Sequence, residues 1–366
     1  MNLSQISSSV EKNNDWVFNN KSFNGHEQVV HCHDEETGLK AIIGIHSTVL
    51  GPALGGTRMW SYENEGDALR DVLRLSRGMT FKAAITGLNL GGGKAVIIGD
   101  SRTQKSDAMM EAFGRFVNSL SGRYITAEDV GINTSDMVSV KKFTDHVTGI
   151  PESMGGSGDP SPVTAFGVFN GMKAAAAFHW GNESLDGKKV LVQGVGNVGE
   201  TLVKHLTEAG AEVLISDIYA DRLDHISKVY GAKIIALDEV YEAEMDIYAP
   251  CALGATLNDK TIPLLKASIV AGAANNQLAD ENVHGKMLLE KGIVYAPDFL
   301  INAGGLINVY SEIAKYSLEE SLKRAASIRE TTFSILEKAA ALKSTPQEAA
   351  LQTAAERVSA AKMKMA

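Results

Sequence analysis

The chain is poor in several features that would otherwise narrow its class. Its 366 residues include two cysteines, Cys32 and Cys251, far apart in sequence. That usage suits a reducing compartment and supplies no disulfide framework. No stretch reaches the ~18 apolar residues of a membrane span. The opening MNLSQISSSVEKNNDW has no apolar run, so it is not read as a signal peptide, and a cytoplasmic location is expected. Its first twenty residues or so are polar and read as a poorly ordered or oligomer-contacting extension. Basic charge is not in surplus: the net charge is −9, which argues against nucleic acid as the main partner. A metal site is not expected either. His31, Cys32 and His33 do not match zinc spacing, and on a strand Cys32 and His33 would diverge.

What remains is a soluble globular composition of 44% hydrophobic and 22% charged residues, long enough for about two domains. Apolar runs predict strands at 41–45 and 95–98, and helical spacing predicts helices at 67–75 and 108–120. This alternation indicates an α/β layer architecture. The segment 149–162 carries three prolines and four glycines in fourteen residues, which marks a domain boundary or hinge. A helix is expected at 164–178, then strands near 233–235, 246–248, 268–271 and 293–295. Ser317 and Glu320 form a capping box before one helical run. Thr345, Pro346 and Glu348 start another, with proline at its first position. We therefore expect a first α/β domain over 1–150 and a second over 151–344, with a cleft between them. The last helix, 345–366, is expected to pack back on the first domain, with a neighbouring subunit as the alternative.

Two lysines stand out. Lys82 and Lys94 lie twelve residues apart in GMTFKAAITGLNLGGGKAVIIG, among apolar and small residues. Gly91, Gly92 and Gly93 would leave room for a ligand in front of Lys94. Burial and a second nearby ammonium would both lower a lysine pKa, making it a base near neutral pH. Equally, a lysine stem can lie along apolar surface with its head in water. Composition does not choose between these readings. GLNLGGGKA is not a phosphate-binding P-loop, because Leu88 and Ala95 stand where that motif needs Gly and Ser or Thr.

The residues KKVLVQGVGNVGETLVKHLTEAGAEVLISDI read as strand, glycine turn, helix and strand. Gly194, Gly196 and Gly199 form G-x-G-x-x-G, and Asp217 follows Gly199 by eighteen residues at a strand end. Gly194 would allow the tight turn, Gly196 the approach of backbone to a pyrophosphate, and Gly199 close helix–strand packing. Asp217 would accept both ribose hydroxyls of NAD and repel the 2′-phosphate of NADP; Arg222 reads as a solvated helix residue. The second domain is thus expected to be a doubly wound, Rossmann-type parallel sheet.

GPALGGTRMW, GMTFKAA, LGGGKAVIIGD, YITAEDVG, SGDPSPVTAFGV and NAGGLINV together resemble the Glu/Leu/Phe/Val amino-acid dehydrogenases, and most nearly their leucine branch. The motifs run in order from about residue 28 to 310. The resemblance implies reversible, NAD-dependent oxidative deamination of an L-amino acid to a 2-oxo acid and ammonium. It implies that Lys82 binds the substrate carboxylate, that Lys94 is the base that activates water, and that Asp129 exchanges protons with the amine. It implies a substrate site including Leu54, Gly55, Gly56, Ala127, Asn276, Leu306 and Val309. It implies a cofactor site of Thr164, Gly194, Gly196, Asn197, Val198, Gly199, Asp217, Cys251, Ala252 and Asn275. Within the family Ala127 resembles the leucine branch, whereas Leu306 stands where phenylalanine enzymes often carry leucine. Branched aliphatic substrates are expected, with a phenylalanine- or valine-preferring relative as the alternative. No extra cation is present for a glutamate side chain. A catalytically inactive NAD-binding sensor would have lost Lys82, Lys94 or Asp129, and all three are present. Homo-oligomers are implied, octamers being common in the leucine branch.

Overall fold

A computed structural model describes residues 17–365 and separates into two compact units. Among the described residues one comprises 17–81 and 89–154, the other 82–88 and 155–365. The expectation for the N-terminal extension falls mostly outside the described residues.

Unit 1 is built on five strands: β1 (Gln28–Asp34), β2 (Leu39–Ser47), β3 (Ala53–Trp60), β4 (Gly91–Ile98) and β5 (Tyr124–Glu128). Their spatial order is β1-β2-β4-β3-β5. The β1–β2 and β2–β4 pairs are antiparallel, and β3 is parallel to both β4 and β5. Side chains alternate across β2 and β4 and so feed two cores. Ala41, Ile43, Ile45, Ala95 and Ile97 pack against α2 (Asp107–Ser119) and α3 (Thr134–Lys141). Ile42 and Val96 face the opposite way, against Leu69, Val72 and Leu73 of α1 (Glu65–Ile85). Fully buried Phe113 alone contributes about 1.5–3 kcal/mol of transfer free energy. Ser106 caps α2, accepting from the Met109 N–H. On β1, Cys32 is buried while His31 and His33 are exposed, so the cluster is split between faces.

Unit 1 departs from expectation in two ways. Helix α1 runs well past residue 75 and carries Lys82 in its last turn. The triple glycine is not an open loop before Lys94; it is the first half of β4. A Cβ on Gly91 would lie 1.9 Å from the Ser47 carbonyl oxygen, and one on Gly92 would lie 2.1 Å from the Thr80 nitrogen. On Gly93 it would meet the Tyr124 ring at 2.6 Å. The space these glycines leave is filled by the protein itself, which draws strand and helix backbones unusually close.

Unit 2 opens with α4 (Ser161–Trp180), which ends on Gly181 in the left-handed conformation. Then come β6 (Lys189–Gln193), α5 (Asn197–Glu208), β7 (Glu212–Ser216), α6 (Ala220–Tyr230), β8 (Lys233–Ile234), β9 (Ile247–Pro250) and β10 (Ile269–Val270). Next are α7 (Glu281–Glu290), β11 (Val294–Tyr295), α8 (Asp298–Ile301) and α9 (Gly304–Ala314). All strand pairs are parallel, in the order β11-β10-β9-β6-β7-β8. Strand order therefore reverses at β6, the topological switch point at which doubly wound sheets bind ligands.

The tail is α10 (Leu318–Ala326), α11 (Ile328–Leu342) and α12 (Pro346–Met365). The single helical run expected after Ser317 is broken at Ser327, so its periodic residues belong to two helices. The start of α12 is a reciprocal capping box: Thr345 Oγ1 accepts from the Glu348 N–H at 3.1 Å, and Glu348 Oε2 accepts from the Thr345 N–H at 3.0 Å. Helix α12 packs on α11 and α7. Its Arg357 donates to the carbonyls of Ala83 (3.2 Å), Ala84 (2.8 Å) and Gly87 (3.1 Å), a second donor for the first two, which already accept from the Leu88 and Gly87 N–H groups. Among the described residues no helix is long and apolar enough to cross a membrane, and no cluster of three His, Cys, Asp or Glu could hold a metal.

Candidate active site

Lys94 is the most unusual charge in unit 1. It lies on β4 opposite Gly44 of β2, and only 7% of it is exposed. A buried ammonium requires a partner. Asp129, immediately after β5, provides one: Lys94 Nζ donates to Asp129 Oδ2. Asp129 could instead have served as a helix-capping aspartate. That task falls to Asn133 and Asp136, which form a reciprocal box at the start of α3 and leave the Asp129 carboxylate for Lys94.

A second cation reaches the same oxygen. Arg58 of β3 donates through Nε to Asp129 Oδ2 at 3.3 Å and through Nη1 to Asp71 Oδ2 at 3.0 Å. Asp71 also accepts from the Tyr62 hydroxyl at 2.8 Å and from Arg74 at 3.3 Å. Burial lowers the pKa of Lys94 from its ordinary value, Asp129 works against that shift, and Arg58 adds to it. Burial works to raise the Asp129 carboxyl, but Lys94 and then Arg58 outweigh it and hold it below the usual range. The pair can thus supply an anionic carboxylate beside an amine that gives up its proton more easily than an ordinary lysine.

The other unit 1 residues surround this pair in sequence and register. Leu54 is fully buried on β3, and Ala127 is buried on β5. Gly55 and Gly56 lie on β3 in register with Thr126 and Ala127. A Cβ on Gly55 would stand 1.7 Å from the Gly93 carbonyl oxygen, so that glycine also serves strand packing. Tyr124, buried beneath Gly93, donates its hydroxyl to the Gly55 carbonyl at 2.6 Å.

In unit 2, Lys82 Nζ donates to Asn302 Oδ1 at 2.7 Å. The Asn302 amide in turn donates to Asn275 Oδ1 at 2.7 Å and to the Ala273 carbonyl at 3.0 Å. One side chain therefore brings Lys82 and Asn275 together. Asn276 is exposed and has a left-handed backbone, φ 51°. Leu306 is buried on α9, with Val309 half-buried one turn later. Thr164, in the first turn of α4, donates to the Pro160 carbonyl at 2.8 Å.

The glycine turn between β6 and α5 fits a dinucleotide. Gly194 has φ 98°, and a Cβ there would lie 2.7 Å from the Ala252 nitrogen. On Gly199 it would lie 2.0 Å from the Gly194 carbonyl oxygen. Gly196 differs: the only atom near its added Cβ is an Arg222 nitrogen at 3.9 Å. A cavity of about 290 Å³ opens there, lined by Val195, Gly196, Asn197, Glu200, Arg222 and His225. Helix α5 starts at this cavity without a side-chain cap, leaving the first N–H groups, those of Asn197 and Val198 included, for a phosphate. Asp217 accepts from the Val195 N–H at 2.8 Å and the Tyr219 N–H at 3.1 Å, which ties the acidic residue to the turn. Arg222 stacks over the Tyr219 ring at 4.7 Å. Cys251 follows β9, its thiol pushed up to about 12 by burial, which excludes a reactive thiolate.

The sequence reading missed Arg58, Asp71, Tyr62, Arg74, Tyr124 and Asn302 in these networks. Arg58 and Asn302 lie within motifs quoted above, GPALGGTRMW and NAGGLINV. A charge in a strand of small and apolar residues was the available signal for Arg58.

Comparison with known proteins identifies the family. Residues 26–146 match the family described as Glu/Leu/Phe/Val dehydrogenase, dimerisation domain. Residues 155–221 and 217–365 match Glutamate/Leucine/Phenylalanine/Valine dehydrogenase. A leucine dehydrogenase of Bacillus cereus is 56% identical over 312 residues, 85% of each chain. A valine dehydrogenase of Streptomyces virginiae is 48% identical over 341 residues, 92% of this chain and 95% of that one. The crystal structure of L-tryptophan dehydrogenase from Nostoc punctiforme superposes with a TM-score of 0.83 at 46% identity, covering 92% of this chain and 97% of that one. The chain belongs to the Glu/Leu/Phe/Val dehydrogenase family, amino-acid dehydrogenases that depend on a nicotinamide cofactor.

Proposed function

We propose that this protein catalyses the reversible, NAD-dependent oxidative deamination of branched-chain L-amino acids. Amino acid, NAD⁺ and water give 2-oxo acid, ammonium, NADH and a proton. The observation that carries the reading is the buried Lys94–Asp129 pair, whose lysine is depressed by burial. Leucine as substrate is supported by the 56% identity to a leucine dehydrogenase and by the small Ala127 and apolar Leu54 on the paired strands β5 and β3.

Lys82 holds the substrate carboxylate as a point charge. Asp129 takes up and returns protons on the substrate nitrogen. Lys94, neutral, removes a proton from the water that attacks the iminium carbon. When bound, NAD supplies the hydride acceptor. Its diphosphate would rest on Gly194, Gly196 and the Asn197 and Val198 N–H groups, with Gly199 keeping helix and strand close. Asp217 would take the ribose hydroxyls. Thr164 and Asn275 would hold the nicotinamide end, with Cys251 and Ala252 as wall and Asn276, Leu306 and Val309 toward the substrate. Asp217 favours NAD over NADP, and the Arg222 guanidinium is already stacked on Tyr219. The free thiols suit a cytoplasmic enzyme. The match of residues 26–146 to a dimerisation domain supports a homo-oligomer, an octamer being the form expected of the leucine branch.

The test is NADH formation with a panel of L-amino acids at alkaline pH. Leucine, isoleucine and valine are expected to outrun phenylalanine, and activity with none of them would overturn the reading. A base must be unprotonated to act, so kcat/KM should rise with pH through the depressed pKa of Lys94 and be lost as pH falls. Lys94→Met should cut turnover by about 10³-fold and leave NADH binding intact. An active Lys94→Met enzyme would refute the assignment of the base.

A further inference from the structure

Asp129 faces an electrostatic problem that the proposed chemistry creates. Its carboxylate is largely buried, and its nearest counter-ion is Lys94. Lys94 must become neutral to act as a base. If Lys94 were its sole partner, Asp129 would at that moment be a largely buried, uncompensated anion, which is strongly unfavourable. Its other course would be to pick up a proton and cease to accept one from the substrate nitrogen.

Arg58 answers this problem by position and by chemistry. It shares Asp129 Oδ2 with Lys94, and a guanidinium keeps its charge at every pH the enzyme meets. It does not depend on Asp129 for its own place. Nη1 is anchored on Asp71 at 3.0 Å, and Asp71 is fixed by the Tyr62 hydroxyl at 2.8 Å and Arg74 at 3.3 Å. Within unit 1, the charged and titratable groups around the Lys94–Asp129 pair are Arg58 from β3, Asp71 from α1, Tyr62 from the turn before it and Tyr124 from β5. The row reads Lys94, Asp129, Arg58, Asp71, Arg74, alternating in sign. With Lys94 neutral, two cations still balance two anions.

We propose that Arg58 is a positioning residue of the reaction: it is the permanent counter-ion that keeps Asp129 ionised and oriented while Lys94 gives up its proton. This rests on the reading of Lys94 and Asp129 given above. It separates two tasks that a simple ion pair would confound, since Lys94 can titrate without costing Asp129 its charge.

The experiment is the pH dependence of kcat/KM for leucine in the wild-type oligomer and in Arg58→Met, Arg58→Lys, Asp71→Asn and Lys94→Met. NADH affinity and thermal midpoint are measured alongside. In Arg58→Met the acid limb should move to higher pH, because Asp129 then holds the Lys94 proton more firmly. Near neutrality kcat should fall at least about tenfold, with the Kd for NADH unchanged. Arg58→Lys should bring the limb part of the way back. Asp71→Asn should move it the other way, because the guanidinium is released toward Asp129 and Lys94. Opposite shifts are a result that loosened packing would not give. A folded Arg58→Met enzyme whose limb stays in the wild-type place overturns the proposal, as do shifts in one direction for both Arg58→Met and Asp71→Asn. If Arg58→Met does not fold, Arg58→Lys and Asp71→Asn decide by the same criterion. If Lys94→Met keeps the wild-type limb, the base assignment itself has failed. If Lys94→Met abolishes the limb but the Arg58 variants leave it alone, only the role of Arg58 has.

Discussion

Two glycine clusters, GGGK in unit 1 and GVGNVG in unit 2, look alike in sequence and do different work. In the first, every glycine is covered by the protein's own atoms: Ser47, Thr80 and Tyr124 occupy the places where side chains would be. In the second, Gly194 and Gly199 are likewise covered, but Gly196 opens on a cavity at a helix N-terminus. A glycine run therefore signals close approach without saying what approaches. In β4 it is the β2 backbone at Gly91, the α1 backbone at Gly92 and the Tyr124 ring at Gly93, on a strand whose next residue is the buried Lys94. At the start of α5 it is a cavity of about 290 Å³ beside helix N–H groups that no side chain caps.

Single methyl groups test that contrast. The largest effect is expected from Gly92→Ala, where the added carbon would lie 2.1 Å from a helix backbone nitrogen. Stability in a denaturant titration should fall by about 3 kcal/mol, and activity should fall with the folded fraction. Gly196→Ala should leave the unfolding midpoint where it is and weaken NADH binding about tenfold in a fluorescence titration, because the methyl fills the place of the diphosphate. Equal destabilisation by the two substitutions would erase the distinction. The smallest effect is expected at Asp217. Asp217→Asn keeps an acceptor for the Val195 N–H and removes the charge, so the preference for NAD over NADP should drop by several-fold to about tenfold in kcat/KM ratios. An unchanged ratio would take Asp217 out of cofactor choice.

The legible parts of the fold were those in which each local signal agreed with its neighbours. The βαβ unit around Gly194 carries strand, turn and helix patterns in sequence, and the Thr345–Glu348 cap is written in adjacent residues. The strands β3 and β5 were not recovered, because glycine, threonine and arginine interrupt their apolar alternation. Helix α1 was cut short at 75 because its later turns present Ser76 and Thr80 to the glycines of β2 and β4, a face too small and polar to read as core. The continuous run after Ser317 concealed the break at Ser327, since the apolar spacing continues across it. In the candidate site, Lys94 and Asp129 could be proposed from motifs, yet their meeting depends on β4 and β5 flanking β3. The partnership of Arg58 with Asp71 joins residues thirteen apart, on a strand and a helix, and no periodicity links them.

The division of the molecule has a practical consequence for recombination. The chain passes from one unit to the other at 81/82, at 88/89 and again at 154/155, and the short excursion contains Lys82. A chimera joined to a relative at the glycine- and proline-rich segment alone would inherit residues 82–88 from one parent, and from the other Asn302, the partner of Lys82, and Arg357, the partner of the Ala83, Ala84 and Gly87 carbonyls. Specificity domains of this enzyme are therefore not cassettes with one seam. Any exchange must carry residues 82–88 with the C-terminal half, or pair parents whose ends of α1 and of α12 already match.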